Sequence, residues 1–269
     1  MPNLEPTILD EETMESPALS KTLSGESGFG LDEWHARVEL AACFRLMAKF
    51  KMTDLTATHA CATIPGSEHI LINSFGLLME EITASNLVKL DFDGNILSDN
   101  KDPPVSAGFA IHSVVHRARP DVVCSIHTHT KAGTGVASLE CGLLPLNQMS
   151  LIFYDRIAYN QYKYLMEVDE CDQLVSDLGD KKAMIMLNHG LLTAGRSVAE
   201  AFILMYFLDK ACQIQLDAMA TGEKLVTPSP ELCEEAARRW MDIDGHAFGE
   251  VEWQALIRQL DQEEPSYKT

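Results

Sequence analysis

Basic side chains are scarce in this 269-residue chain, where 21 lysines and arginines stand against 40 aspartates and glutamates for a net charge of −19. That imbalance repels phosphate backbones and anionic lipid alike, so neither a nucleic acid nor a membrane surface is an expected partner. The one short basic cluster, "HRARP" at His116 to Pro120, is accounted for as the positively charged last turn of a helix stopped by Pro120. Long apolar runs are missing too: none reaches the roughly 18 residues of a membrane span. The opening "MPNLEPTILDEETMESPALS" is acidic and lacks the apolar centre of a signal peptide, so the expected compartment is the cytoplasm. There is no CxxC pair. The cysteines (Cys43, Cys61, Cys124, Cys141, Cys171, Cys212 and Cys233) are odd in number and widely scattered, and read as reduced structural thiols. No internal repeat, GxGxxG fingerprint or Walker loop occurs.

What is present is an ordinary globular composition, 46% hydrophobic, enough for a sizeable core. Residues 1–28, rich in Pro, Ser, Glu and Gly with no apolar period, are expected to form a flexible arm or a subunit-wrapping segment. From Leu31 the spacing of Trp34, Val38, Ala41 and Arg45 predicts an amphipathic helix with Asp32 as its cap and His35 on its surface. "LTATHACAT", "HILIN" and "LVKLDF" read as short strands of an antiparallel portion of a sheet, the last entering a tight turn at Asp93-Gly94-Asn95. "VSAGFAIHSVVHRA" reads as a helix that puts His112 and His116 on one face. After it come the strand "VVCSIHTHT", a helix in "KAGTGVASL", and a turn at "CGLLPLN" into another short extended piece. A helix ended by Gly179 follows, then the apolar strand "AMIMLNHGLLTAG", interrupted by His-Gly. A long helix begins at Ser197, with Glu200 completing a capping box, and ends at Gly222. Helices and strands interleave without a break to about residue 225, which predicts one three-layer α/β domain (residues 29–225) around a mixed, largely antiparallel sheet. The acidic segment 226–269 reads as a helical extension, with Trp240 and Trp253 packing on the domain or on a neighbouring subunit.

"SIHTHT" places His127 and His129 two residues apart in an extended run, so both imidazoles can converge on one point while Thr128 faces away. Such a pair arises by chance as two solvated or core-edge histidines; a third ligand decides. "MLNHGLL" offers one in His189, at the end of an apolar strand where packing needs no histidine, with Gly190 letting the backbone turn. Three neutral imidazoles with open positions suit Zn²⁺, and also Fe²⁺, Mn²⁺ or Co²⁺.

From about Leu31 to Thr221 the sequence resembles the class II aldolase/adducin superfamily. "HTHT" on a strand, "NHGLLTAG" about sixty residues on, "INSFGLLMEEITASNLVKLDFDGN" and "SAGFAIHSVVHRARPDV" carry the resemblance. It implies an αβα fold and a homotetramer with sites at subunit interfaces. It also implies a catalytic divalent metal, usually zinc, bound at His127, His129 and His189 and acting as a Lewis acid on a carbonyl or enediolate oxygen. The departures are local. Gly108 stands where the aldolases carry a glutamate, the serine pair that binds substrate phosphate is replaced around Ala107, and His59 stands at the family's asparagine. A standard sugar-phosphate aldolase reaction is therefore not expected.

"SAGFAIHS", "CGLLPL" and "NSFGLL" look most like the adducin head and its bacterial relatives, but no neck and basic tail follow, and actin binding is not carried over. His112 and His59 are the candidates for proton transfer. Each also has a structural reading, His112 as a partner of a ligand or a hydrogen-bonded core residue and His59 as a hydrogen-bonded strand residue. His69, His116 and His246 read as surface or structural. Tyr159, Tyr162 and Tyr164 either line a neighbouring pocket or pack along a strand. The expected function is lyase-type cleavage of a carbon–carbon or carbon–oxygen bond in a small oxygenated molecule. Two alternatives stand beside it, a non-haem iron oxygenase on the same fold and a non-catalytic assembly module.

Overall fold

The computed structural model describes residues 28–99, 102–163, 171–240 and 246–269. The arm expected over residues 1–28, Gly28 apart, and Tyr164 lie outside them. Helix α1 (Leu31–Lys49) buries Trp34, Leu40, Phe44 and Met47. Its cap is Gly30 and not Asp32; Asp32 and Glu33 instead lie in the first turn, where carboxylates meet the positive end of the helix dipole. Strands β1 (His59–Thr63), β2 (His69–Ile72) and β3 (Val88–Asp91) then run antiparallel to one another. The turn after β3 is held by Asp91, whose Oδ1 accepts the backbone N–H of Asp93 and of Asn95, both at 2.9 Å, while Gly94 supplies φ +88°.

Helix α2 (Ser106–Ala118) leads into β4 (Cys124–Thr128), which enters the sheet beside β1. The chain continues through α3 (Lys131–Ala137), α4 (Gln148–Leu151), β5 (Ile157–Asn160), α5 (Asp172–Leu178), β6 (Ala183–Met186), β7 (Gly190–Gly195) and the long helix α6 (Val198–Ala220). The strand order is β3-β2-β1-β4-β7-β6-β5, antiparallel at every junction except β5 with β6. This is the expected mixed, largely antiparallel sheet.

Two sequence expectations need correction. "AMIMLNHGLLTAG" is two strands, β6 and β7, paired antiparallel about Leu187, Asn188 and His189, because Asn188 adopts φ +57° and reverses the chain. The turn at 141–147 leads first into α4, which Asn147 caps by accepting the N–H groups of Met149 and Ser150, and the extended piece comes only after it, as β5.

Alternation along the strands builds the two faces of the sheet. Ala60, Ala62, Ile126, Ile185 and Leu191 join α1 and α6 in one core. Met184, Met186, Leu192 and Ala194 pack against Ile111 and Val115 of α2 and Leu174 and Leu178 of α5 in another. Strand β4, central and buried throughout, turns Thr128 toward Met205 of α6 and Ser125 toward His112 of α2. Helices α7 (Pro230–Trp240) and α8 (Glu250–Glu263) complete the chain. Trp253, Leu260 and Tyr267 enter the α1/α6 core, with the Trp253 ring 5.6 Å from that of Phe202. The last residues are tied down by backbone bonds from Ala84 N–H to Tyr267 and from Ser85 N–H to Thr269, each 2.9 Å.

Helix α6 starts as its sequence requires, with one shift. Ser197 Oγ accepts the Glu200 N–H at 3.0 Å, but Glu200 Oε2 reaches past the cap to the N–H of Arg196 at 2.6 Å. Replacing Ser197 with alanine leaves the Glu200 amide without that acceptor, and we expect a loss of about 1 kcal/mol in urea denaturation. An unchanged midpoint would show that the Glu200 carboxylate alone caps the helix.

Candidate metal centre

The strand pairing that crosses the middle of the sheet assembles the centre. His127 lies opposite His59 on β1 and opposite Leu192 on β7. His129 follows just beyond the end of β4, and His189 sits in the turn between β6 and β7. Their Nε2 atoms converge, His127 to His129 at 2.8 Å, His129 to His189 at 3.0 Å and His127 to His189 at 3.3 Å. Gly190 permits this by close approach and not by turning the chain as expected: a Cβ there would lie 2.3 Å from the Thr128 carbonyl oxygen and 3.1 Å from His129 Cδ2.

The donor set fits a metal ion. At metal–nitrogen distances of about 2.0–2.1 Å, nitrogens on adjacent positions of an octahedral or tetrahedral ion stand ~2.9–3.4 Å apart. The His127 Nδ1 lies 2.9 Å from the Leu191 carbonyl oxygen, which only accepts, so Nδ1 carries the hydrogen and Nε2 keeps its lone pair. Three mutual Nε2 contacts exceed what neutral imidazoles can make with one of the three unprotonated, whereas lone pairs aimed at a shared cation account for all of them. His129 Nδ1 lies 3.4 Å from Asp54 Oδ2, the carboxylate–histidine arrangement that orients a ligand ring. His189 is held by its backbone, its N–H donating to Met186 and its carbonyl accepting from Thr134 Oγ1. Burial holds His127 well below the ordinary imidazole range and pushes His189 down to about 4. Burial lowers His129 also, against the opposing pull of Asp54. All three therefore favour the neutral, ligating form. An open cleft of 660 Å³ adjoins the centre, lined by Asp54, His129, Lys131, Thr134, Tyr162 and His189 among others.

Behind the triad lies a second group of imidazoles. His59 Nδ1 is 2.8 Å from His112 Nε2, His112 Nδ1 is 2.6 Å from Ser125 Oγ, and Ser125 Oγ is 3.0 Å from His116 Nε2. His116 Nδ1 ends the chain on the Val122 carbonyl at 3.1 Å. His59 also faces the triad, its ring centroid 5.0 Å from that of His127. Gly108 explains its position, since a Cβ there would stand 2.8 Å from His59 Cγ and 3.1 Å from its Nδ1. The ring of His59 fills the space over Gly108.

Of the other residues singled out in the sequence, His116 is buried and structural, His69 half-buried, and His35 and His246 exposed. Tyr159, on β5, accepts the Leu143 N–H at 3.0 Å, and the Tyr162 ring stands 6.0 Å from that of His189. Asp54 and Ser125 were not singled out. Ser125 was legible as the residue two before His127 on the same strand face; Asp54, in a loop, carries no sequence signal.

Residues 38–216 match the family described as Class II Aldolase and Adducin N-terminal domain. A Pseudomonas aeruginosa protein, assigned only provisionally to aldolase class 2, is 42% identical over 88% of this chain and 93% of its own length. Alpha-adducin of Mus musculus is 37% identical over 84% of this chain, which spans 33% of that longer protein. Among solved structures, an aldolase II superfamily protein from Pseudomonas syringae superposes with a TM-score of 0.85 at 43% identity, covering 90% of this chain and 98% of the other. L-fuculose 1-phosphate aldolase from Glaciozyma antarctica superposes at 0.78 with 26% identity, covering 92% and 98%.

Two outcomes follow from the buried imidazoles. Gly108→Ala gains up to ~1 kcal/mol of helix propensity but overpacks the rigid His59 ring at about 1–3 kcal/mol, so the variant should unfold at lower denaturant. A more stable variant would contradict the packing of His59 on Gly108. Burial pushes His116 down to about 4, below its unfolded value of 6.5, so the unfolded chain binds the proton first as pH falls. Stability should therefore be full above pH 6.5 and decline toward pH 4, by about 3 kcal/mol from this residue. His116→Phe in equilibrium unfolding should flatten that slope.

Proposed function

Since this chain belongs to the family of class II aldolases and adducin N-terminal domains, we propose that it is a metal-dependent lyase whose divalent transition ion, zinc in the first instance, is held by His127, His129 and His189. The observation that carries the reading is the convergence of three Nε2 atoms within 2.8–3.3 Å. When bound, such an ion supplies Lewis-acid polarisation of a carbonyl or hydroxyl oxygen during carbon–carbon or carbon–oxygen cleavage. The chain's own residues do the rest. The Leu191 carbonyl keeps the proton of His127 on Nδ1, and Asp54 turns His129 toward the centre. Lys131 and Tyr162 offer donors to a small oxygenated substrate in the cleft, while the Thr134 hydroxyl, whose hydrogen goes to the His189 carbonyl, offers only its oxygen as an acceptor.

A sugar-phosphate substrate is disfavoured, because the space over Gly108 is taken by His59 and no carboxylate side chain exists there. His112 has both ring nitrogens engaged, which leaves His59 as the better placed of the two candidates for handling a proton. The working form is a cytoplasmic homo-oligomer, a tetramer by family analogy. A second reading, a non-catalytic assembly module, is favoured by the 37% identity to alpha-adducin over 84% of this chain.

Elemental analysis of untagged protein purified without chelator, beside a His127→Ala/His129→Ala variant, separates the readings. Near one transition-metal ion per chain, lost in the variant, is the expected result. Zinc would direct a screen toward lyase substrates, and iron toward oxygen uptake. No metal even after incubation with Zn²⁺ and Fe²⁺ would sink the enzyme reading and leave the assembly module.

A further inference from the structure

Beside the metal cleft lies a second cavity of 510 Å³, bounded by the chain just after α1, the start of α3 and the later turns of α6. Two stretches of chain form the rim between the two spaces. In one, Asp54 lines the metal cleft and Lys51, three residues earlier, lines the second cavity. In the other, His129 lines the cleft, Thr130 lines the second cavity and Lys131 lines both. The two spaces therefore meet at Lys131, and a ligand longer than the cleft would run along that side chain into the second cavity.

The charge facing the second cavity is basic. Lys51 and Lys131 are exposed, and among the described residues neither is in an ion pair, whereas Lys49 and Lys182 are, with Glu263 and Glu200. Two acids line the cavity, Asp209 and Asp217. Asp209 is 3% exposed and turned inward: its Oδ1 is buried, its Oδ2 accepts from Gln213 Nε2 at 2.5 Å, and Thr130 bonds the same carboxyl group. Of the lining residues, that leaves Asp217 against two lysines. Lys51 is held at φ +58°, where lysine is rarely found, with its N–H donating to the Ala48 carbonyl at 3.0 Å. Such a conformation persists only where its surroundings enforce it, and here it sets the turn that carries Lys51 to one cavity and Asp54 to the other.

We propose that the second cavity is a carboxylate subsite, in which Lys51 and Lys131 receive the acidic tail of an elongated ligand whose oxygenated head lies at the triad. The place of the head rests on the metal reading above; the subsite does not. The lining residues include no glycine and no arginine, so the cavity lacks the backbone cradle or guanidinium fork of a phosphate site, and two lysines beside one aspartate suit a single negative charge. The substrate class is accordingly a hydroxy- or oxo-dicarboxylate.

Calorimetry on the zinc-loaded, full-length protein compares 2-hydroxy acids of equal chain length whose tails end in a carboxylate or in a methyl group. The pairs are malate with 2-hydroxybutyrate, 2-hydroxyglutarate with 2-hydroxyvalerate, and 2-hydroxyadipate with 2-hydroxyhexanoate. In at least one pair the dicarboxylate should bind about three- to tenfold more tightly, the worth of one or two exposed ion pairs, and the margin should shrink in high salt. Lys51→Asn removes the charge with a residue that tolerates positive φ, and should erase the margin without weakening the methyl-ended acids, while Lys51→Arg should keep it. No margin in any pair, or a margin that survives in Lys51→Asn, would overturn the subsite. Should zinc fail to bind, the metal reading falls and the subsite is tested alone, by titrating glutarate into the metal-free protein and following backbone ¹H–¹⁵N signals. Shifts at Lys51, Lys131 and Gln213 in the wild type that vanish in Lys51→Asn would uphold it, and a wild type without them would overturn it.

Discussion

A neutral imidazole taken out of water must find a partner for its nitrogens, and four histidines in this protein (His59, His112, His116 and His127) are buried together between the sheet and α2. Their answer is a shared one. Two backbone carbonyls, Leu191 and Val122, anchor the ends, and Ser125 links the middle. Moving any member would strand a polar nitrogen in the core, which costs more than the hydrogen bond itself contributes. The centre of the sheet is held in register by this requirement as well as by its ladder: His127 can reach Leu191 only while β4 and β7 keep their pairing, and His59 lies opposite His127 only while β1 and β4 keep theirs.

The edge of the same centre is built on unusual backbone. Leu55, next to Asp54, has φ +46°, and Asn188, next to His189, has φ +57°. Asparagine tolerates that region and leucine does not, so strain is concentrated in the loop that brings the carboxylate to His129. Leu55 is also 76% exposed and gains little from packing. The rigid sheet therefore supplies His127, a tight turn supplies His189, and a strained loop supplies the group that orients His129.

Gly108 and His59, two separate departures from the aldolase pattern in the sequence, are one event in space. The helix residue has no side chain, and the ring of the strand residue occupies the volume a side chain would need. Neither change is tolerable alone, because a side chain at 108 collides with the ring and its absence without His59 leaves a void. At this position the space beside the helix holds an imidazole bonded to His112 of α2.

Much of this was legible in the chain. Period-2 and period-3.6 patterns specify most elements and the layered α/β class, and "HTHT" with "NHGLL" marks the histidines that come together, because these signals are local and each element carries its own copy. The helix start at Gly30, the split of "AMIMLNHGLLTAG" into two strands and the short helix between the turn at 141–147 and β5 were not legible, since a cap, a left-handed Asn188 and a side-chain cap at Asn147 are settled by packing around them. The sequence alone singled out His127, His129 and His189 as candidate ligands, though His189 lies in a turn and His129 just beyond β4 and not on strands. Only the tertiary structure decided that Asp54 faces His129, that His59 lies over Gly108 and that four groups line up behind the triad. Those contacts join segments up to 75 residues apart, and no local pattern encodes a distance that the sheet order sets.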